Sequence, residues 1–135
     1  MYGCIILGAG AGCNHYHTSF WEYAMNEILI VSTADSMDLA EKIASTIVKE
    51  GLAACVNIVP GIRSIYRWEG KVCDEPELLL LIKSSEDHFE TVRSRIRQLH
   101  TYDTPEVIAV PVCAGDPDYL NWLHVQLKSR PGEND

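Results

Sequence analysis

The chain has 135 residues, of which 47% are hydrophobic and 22% charged, as expected of one globular domain with a short additional segment. Its net charge of −8 opposes binding to nucleic acid and to anionic membranes, because both draw their affinity from clustered Lys and Arg. No apolar stretch approaches the ~18–20 residues that a membrane span needs. We therefore expect no nucleic-acid or membrane partner, and a charge balance compatible with cationic ligands.

The first 26 residues differ in composition from the rest of the chain. They contain no Lys or Arg, so they fit neither a secretory signal nor a transit peptide, and a cytoplasmic location is favoured. We expect residues 1–26 to be a flexible or expression-derived leader. A domain at 27–128 and a frayed tail at 129–135 follow it.

The five cysteines show no CxxC spacing and predict neither a zinc ribbon nor a disulfide framework. Cys55 lies in an apolar run and is expected to be a reduced, buried thiol. In the leader, Cys13, His15 and His17 lie within five residues. A thiol and two imidazoles can enclose one copper ion, so if the full chain binds copper tightly, we expect the leader and not the domain to be responsible.

The first regular elements predicted are a strand, a helix and a second strand. Ile28–Val31 is a continuous apolar run typical of a covered strand. Asp35 or Ser36 is placed to cap a helix that ends at Gly51, and residues 52–59 form the next strand. The apolar positions of the helix repeat with the period of one helical face: Ala40, Ile43, Ala44, Ile47 and Val48.

A long kinked hairpin is predicted next. Pro60-Gly61 indicates a kink or bulge, after which Ile62–Trp68 continues the strand. Glu69 begins a turn that we expect to reach Pro76. Leu78–Ile82 is then a central strand, because none of its side chains suits water.

Two further helices flank the last strand. Ser84 and Ser85 are placed to cap a helix whose buried stripe is Phe89, Val92, Ile96 and Leu99. Residues 107–112 form the last core strand. Asp116-Pro117 opens an extra C-terminal helix with apolar positions at Tyr119, Leu120, Leu123 and Leu127.

This order of elements predicts an α+β fold, the ferredoxin-like double βαβ sandwich, with a long kinked β-hairpin and an extra C-terminal helix. Both crossover helices fall on one face of the sheet. Only the C-terminal helix can cover part of the other face, and an uncovered apolar sheet indicates self-association.

The densest polar segment is 100–106, which joins a helix to a strand. One interpretation is a binding loop on a rigid support; the other is that His100 favours the helix dipole, Tyr102 only packs and Pro105 sets the strand entry. Lys83 ends the central strand, either with its amine reaching solvent or as a cation aimed at a cleft. No nucleophile motif, zinc-protease motif or phosphate-binding loop is present.

Tyr66 and Trp68 share a strand face, where an aromatic pair is more typical of an oligomer contact than of a cofactor platform. With the preceding strand and the later loop, they form separated motifs that resemble the CutA family, the divalent-cation tolerance proteins. The motifs are residues 51–57, 60–62 and 64–71, then His100, Tyr102, Pro105 and Glu106, then Pro111, Tyr119, Leu120 and Trp122.

The resemblance implies a ferredoxin-like subunit in a tight trimer of PII-like architecture, with hairpins paired across subunits. It implies a link to divalent-metal tolerance, especially to copper, and no settled enzymatic activity. Copper-linked bacterial members carry a Cys at the position of Ser32 and a His pair at Leu99 and His100. Thr101 replaces a usual proline, and only His100 retains a metal-ligand side chain.

The leading hypothesis is a homotrimer, not an enzyme, that binds a small molecule or a metal ion, copper or another divalent cation, in inter-subunit clefts. The candidate cleft residues are Cys55, Asn57, Lys83, His100, Tyr102, Glu106 and Trp122, with His100 the candidate metal ligand and Tyr66 and Trp68 the candidate oligomer contacts. The alternatives are a structural or signalling scaffold without a ligand, and an enzyme that uses His100 as acid or base.

Overall fold

A computed structural model describes residues 26–129. The elements, in chain order, are β1 (Glu27–Ala34), α1 (Met37–Lys49), β2 (Cys55–Trp68), β3 (Lys71–Ser85), a 3₁₀ turn (Glu86–His88), α2 (Phe89–Leu99), β4 (Val107–Pro111) and α3 (Pro117–Gln126). The predicted leader, apart from Asn26, and the predicted tail after Ser129 lie outside the described residues, and so do Cys13, His15 and His17.

The four strands form one antiparallel sheet in the order β2-β3-β1-β4. Ile30 of β1 lies opposite Ile82 of β3 on one side and Ala109 of β4 on the other. The strands of the first βαβ unit, β1 and β2, therefore alternate in the sheet with those of the second unit, β3 and β4. The predicted ferredoxin-like α+β fold is confirmed. Leu78–Ile82 belongs to a central strand, as predicted.

The core lies between the sheet and the two helices α1 and α2. Ser36 caps α1 by accepting a hydrogen bond from the Leu39 N–H at 3.2 Å. The buried stripe of α1 includes Leu39, whereas Val48 is exposed, contrary to the prediction. The buried side of α1 therefore lies closer to Leu39 than the spacing of the apolar residues predicted. Its buried partners in the core include Ile30, Leu80, Ile82, Phe89, Val92 and Ile96.

The hairpin turn is shorter than predicted. Only Glu69 and Gly70 form it, and both have positive φ, at 49° and 78°, as in the two-residue type I′ turn that fits the twist of paired strands. β3 therefore begins at Lys71, and the predicted turn to Pro76 is wrong. From Lys71 to Glu77, before the residues that pair with β1, β3 has only β2 beside it among the described residues. A proline is tolerated on such an edge.

The predicted kink is a β-bulge. Val59 pairs with Leu79, but the next pair is Ile62 with Glu77, so β2 carries one extra residue. Gly61 accommodates it at φ 80°, a conformation that glycine adopts without steric cost.

The start of β2 lies three residues later than predicted. The N–H groups of Leu52 and Ala53 both donate to the Ile47 carbonyl, so they close α1 and do not join the sheet. Gly51, at φ 71°, ends α1 as expected. Cys55 is the first residue of β2 and is half-buried on the sheet face that turns away from α1 and α2, so the prediction of a buried thiol is wrong.

The start of α2 also differs from the prediction. Ser84 is fully buried and donates to the Leu52 carbonyl at 2.6 Å, while Ser85 Oγ lies 2.7 Å from His88 Nδ1. Neither serine caps α2, because a 3₁₀ turn intervenes. By contrast, α3 begins as predicted, with Asp116 accepting from the Tyr119 N–H at 3.1 Å.

The second sheet face, which we call the open face, turns away from α1 and α2. α3 lies across one end of it, where His124 Nε2 is 3.1 Å from the buried carboxylate of Glu27. Farther along, Ile108 is 55% exposed and Val110 48%. In residues 26–129 no helix is long and apolar enough to cross a bilayer.

Candidate functional site

The segment 100–106 folds over the open face beyond the end of α2. His100 Nε2 lies 2.8 Å from the Thr33 carbonyl, and His100 Nδ1 accepts the Tyr102 N–H at 3.0 Å. Because Nδ1 is an acceptor, the ring proton is on Nε2, which donates to Thr33. The Tyr102 ring lies beside the imidazole with 4.4 Å between centroids. His100 thus fixes the loop to β1.

Tyr102 fixes the same loop to β3. Its hydroxyl donates to Glu77 Oε2 at 2.6 Å. Burial of the ring, followed by this bond to the carboxylate, raises the pKa of Tyr102 above its usual range. The phenol therefore stays protonated and acts as a hydrogen-bond donor at all physiological pH values.

A cleft of about 550 Å³ opens between this loop and the hairpin. Its lining residues are Thr33, Ser64, Ile65, Tyr66, Trp68, Glu77, Tyr102, Asp103, Thr104 and Glu106. Tyr102 and Glu106, predicted as cleft residues, are brought together here with Tyr66 and Trp68, which were predicted as oligomer contacts. Tyr66 donates to Glu75 Oε1 at 2.5 Å, and this bond raises the pKa of Tyr66 to about 12.

The other candidate residues form a separate cluster. Cys55 of β2 pairs with Lys83 of β3, and Asn57 lies two residues further along β2 on the same face. Lys83 Nζ donates to Asn57 Oδ1 and lies 3.9 Å from Cys55 Sγ. Lys83 lies six positions from Glu77 along β3, or about 20 Å at roughly 3.3 Å per residue. Within one chain, this cluster therefore lies outside the cleft.

Trp122 neither lines the cleft nor belongs to the cluster of Cys55, Asn57 and Lys83. It lies on α3 beside Tyr119, with 5.5 Å between ring centroids. The pKa of Tyr119 is raised by burial and, to a smaller extent, by Cys55. Trp122 is thus on the side of the open face that carries Cys55 and Lys83.

The donor set at His100 does not fit a metal ion. Both ring nitrogens are already hydrogen-bonded within the chain, so no lone pair is left for coordination. Ser32, at the other position where a metal ligand is expected, is fully buried on the core side with no hydrogen-bond partner. In the part of the chain that the structure describes, no three His, Cys, Asp or Glu side chains are grouped to hold a metal. The interpretation of His100 as a metal ligand is not supported by this geometry.

Sequence reasoning missed Glu77 and Thr33, which anchor the loop. Glu77 was overlooked because Lys71–Pro76 was interpreted as a turn. With those residues in a strand, Glu75, Glu77 and Leu79 alternate onto one face, and that spacing would have revealed the two carboxylates beside the aromatic pair.

Comparison with known proteins supports the family resemblance that the sequence motifs predicted. The family model described as CutA1 divalent ion tolerance protein matches residues 28–126. The divalent-cation tolerance protein CutA of Thermus thermophilus is 46% identical over 99 residues, which are 73% of this chain and 95% of that protein. The corresponding protein of Pectobacterium atrosepticum is 42% identical over 101 residues, covering 75% of this chain and 92% of that protein.

Comparison with solved structures supports the same family. The crystal structure of CutA1 from Oryza sativa superposes with a TM-score of 0.77 at 40% identity, covering 79% of this chain and 98% of that chain. Sequence, motifs and fold therefore agree over the whole described domain: the chain belongs to the CutA1 family of divalent ion tolerance proteins.

Proposed function

We propose that this protein contributes to divalent-cation tolerance as a homotrimer that binds a small ligand in clefts at its subunit boundaries. The observation that carries the proposal is the cleft beside Tyr102. Its loop is fixed to β1 through His100 and to β3 through Glu77, so the cavity is supported by two central strands. Binding groups held on a rigid scaffold are typical of ligand sites.

The trimer is proposed from the uncovered surfaces of the single chain. Ile108 and Val110 present apolar side chains on the open face. The distal hairpin, from Ile62 to Glu77, has no other strand beside it in residues 26–129. Exposed strand edges and apolar faces favour pairing with further copies. A second protomer is also the simplest way to bring Cys55, Asn57 and Lys83 against a cleft.

For copper, we propose the leader and not the domain. His100 has no free lone pair, whereas Cys13, His15 and His17 combine one thiol and two imidazoles. Divalent-cation tolerance would then depend on the small ligand bound in the cleft, and not on copper bound by the domain. We also propose a cytoplasmic location, in keeping with the free thiols of Cys55, Cys73 and Cys113, which a reducing compartment maintains.

A scaffold without a ligand is the second candidate function. It is favoured by the same hydrogen bonds, since His100, Tyr102 and Glu77 all have partners within the chain. On this view the polar cluster only stabilises the loop. An enzyme that uses His100 as acid or base would first have to break one of two imidazole hydrogen bonds.

The deciding experiment is a thermal-shift screen of metabolites and metal salts on the assembled protein, followed by calorimetry. A ligand at about 100 times its Kd stabilises the native state by about 2.7 kcal/mol. Saturable binding that is weakened by Glu106→Gln supports the cleft. A stable trimer with no ligand in the screen supports the scaffold instead.

A further inference from the structure

The lining of the cleft is acidic. Its lining contains three carboxylates, on Glu77, Asp103 and Glu106, and no Lys, Arg or His. Three acidic residues elsewhere in the described domain have an Arg partner: Asp74 bonds Arg63, Glu90 bonds Arg93 and Glu50 bonds Arg95. Within residues 26–129, none of the three cleft carboxylates forms an ion pair of this kind. The cleft thus carries net negative charge that the chain itself does not neutralise.

Aromatic side chains share the cleft with these carboxylates. In the single chain Tyr66 is 40% exposed and Trp68 52% exposed, and both rings line the cleft. Tyr102 is held in place by its bond to Glu77. Cations are attracted to the faces of such rings, most strongly to Trp. The lining therefore combines the two kinds of group that favour a positively charged organic ligand.

We propose that this cleft binds an organic cation, an alkylated ammonium group, between the Trp68 and Tyr66 rings and the carboxylates of Glu106 and Asp103. The proposal rests on the function proposed above and names the ligand class of the same cleft.

An inorganic dication is a poorer fit to the same residues. Divalent ions need several oxygen ligands converging at 2.0–2.6 Å. In residues 26–129 no three acidic, His or Cys side chains are grouped in that way, and Glu77 already accepts from Tyr102. An alkylated ammonium spreads its charge over methyl groups and needs no convergent ligands. The cavity of about 550 Å³ also exceeds the volume of a bare ion by far.

The test uses the full chain in its assembled state, with benzyltrimethylammonium as the probe in calorimetric titration. Potassium chloride at equal ionic strength and tert-butanol, a neutral molecule with a similar branched head, are the controls. We expect saturable binding of the ammonium probe and none of either control.

Variants assign the binding to the cleft. We expect Trp68→Ala and Glu106→Gln each to weaken binding about threefold to fivefold, as for an exposed cation–π contact. Trp68→Phe, which keeps a ring, should retain most of the affinity. Glu90→Gln removes an acid on α2 outside the cleft and should change nothing. Circular dichroism establishes that each variant is folded.

Two results would overturn the inference. If the probe does not bind, or binds equally well to Trp68→Ala and Glu106→Gln, the cleft is not an organic-cation site. The proposed function is tested separately by the metabolite screen. A neutral or anionic metabolite that binds and is sensitive to Glu106→Gln would keep the cleft as a ligand site while refuting the organic cation. Failure of every ligand would refute both.

Discussion

The Tyr102 hydroxyl donates to the Glu77 carboxylate across 2.6 Å, and this bond joins the loop after α2 to the middle of the longest strand. The loop is also bonded to β1 through His100, so two side chains hold it against two adjacent strands. Since that loop forms one wall of the cleft, its position depends on these two bonds. Each can be removed by one substitution.

Tyr102→Phe should lower the free energy of unfolding by about 1–2 kcal/mol, because it removes a partly buried hydrogen bond to a charged acceptor. Tyr66→Phe is the matched control. It removes a similar bond to Glu75 from an exposed ring and should cost less. Urea denaturation of both variants measures the difference. Equal losses for the two variants would contradict the structural role assigned to Tyr102.

The same bond predicts a dependence of stability on alkaline pH. The pKa of Tyr102 is raised in the folded state from its ordinary value of 10.0, by burial and by the Glu77 bond. The folded protein therefore retains this proton where the unfolded chain loses it, so the contribution is complete below pH 10 and is lost as pH rises further. We expect the wild type to lose stability above pH 10 more steeply than Tyr102→Phe. Parallel curves of unfolding free energy against pH would show that Tyr102 makes no such contribution.

Leu80 and Leu81 are adjacent in β3 but face opposite sides of the sheet. Leu80 is fully buried in the core, and Leu80→Ala should cost about 2–5 kcal/mol. Leu81 is half-buried on the open face, so Leu81→Ala should cost clearly less in a dissociated chain. Chemical denaturation at low protein concentration distinguishes them. An equal cost there would mean that the open face is covered within the single chain.

Ile108→Asp tests the proposed trimer. Ile108 is 55% exposed in the single chain, so an aspartate there is tolerated by the isolated fold but would be an unpaired charge in an interface. We expect light scattering at micromolar concentration to give a trimer mass for the wild type and a lower mass for the variant. Val125→Asp, at an exposed position of α3, is the control and should assemble normally. A wild-type monomer would refute the trimer.

Copper binding by the leader can be tested by comparing the full chain, a form that begins at Met25, and His100→Ala. We expect calorimetric titration to show copper binding only in the two forms that contain Cys13, His15 and His17. Unchanged tight binding in the shortened form, abolished by His100→Ala, would place the copper site in the domain instead.

The sequence was most informative where continuous runs of apolar residues form buried strands. Ile28–Val31 and Leu78–Ile82 were identified as strands because continuous apolar runs require cover. The start of β3 was missed because Pro76 resembles a turn residue, although it is tolerated on an edge that only the tertiary structure reveals.

The cleft was predictable only in part. Tyr102 and Glu106 were identified from the density of polar side chains in one loop. Glu77 lies 25 residues before Tyr102 in the chain, and no local pattern links the two. The hydrogen bond of His100 Nε2 likewise depends on Thr33, a residue of β1 far away in the sequence. Contacts of this kind arise from strand order, which sequence periodicity does not determine.

The single extra residue in the β2 bulge decides the electrostatic sign of the cleft. Because successive strand side chains alternate between faces, one inserted residue exchanges the two faces for every residue that follows. With the bulge, Ser64, Tyr66 and Trp68 share a face with Glu75 and Glu77. If the same residues continued from Val59 in a regular register without the bulge, Arg63 would lie opposite Glu75 and Arg67 opposite Lys71, on the face that carries those carboxylates. The bulge at Gly61 therefore keeps both arginines off that face and leaves the cavity acidic and aromatic.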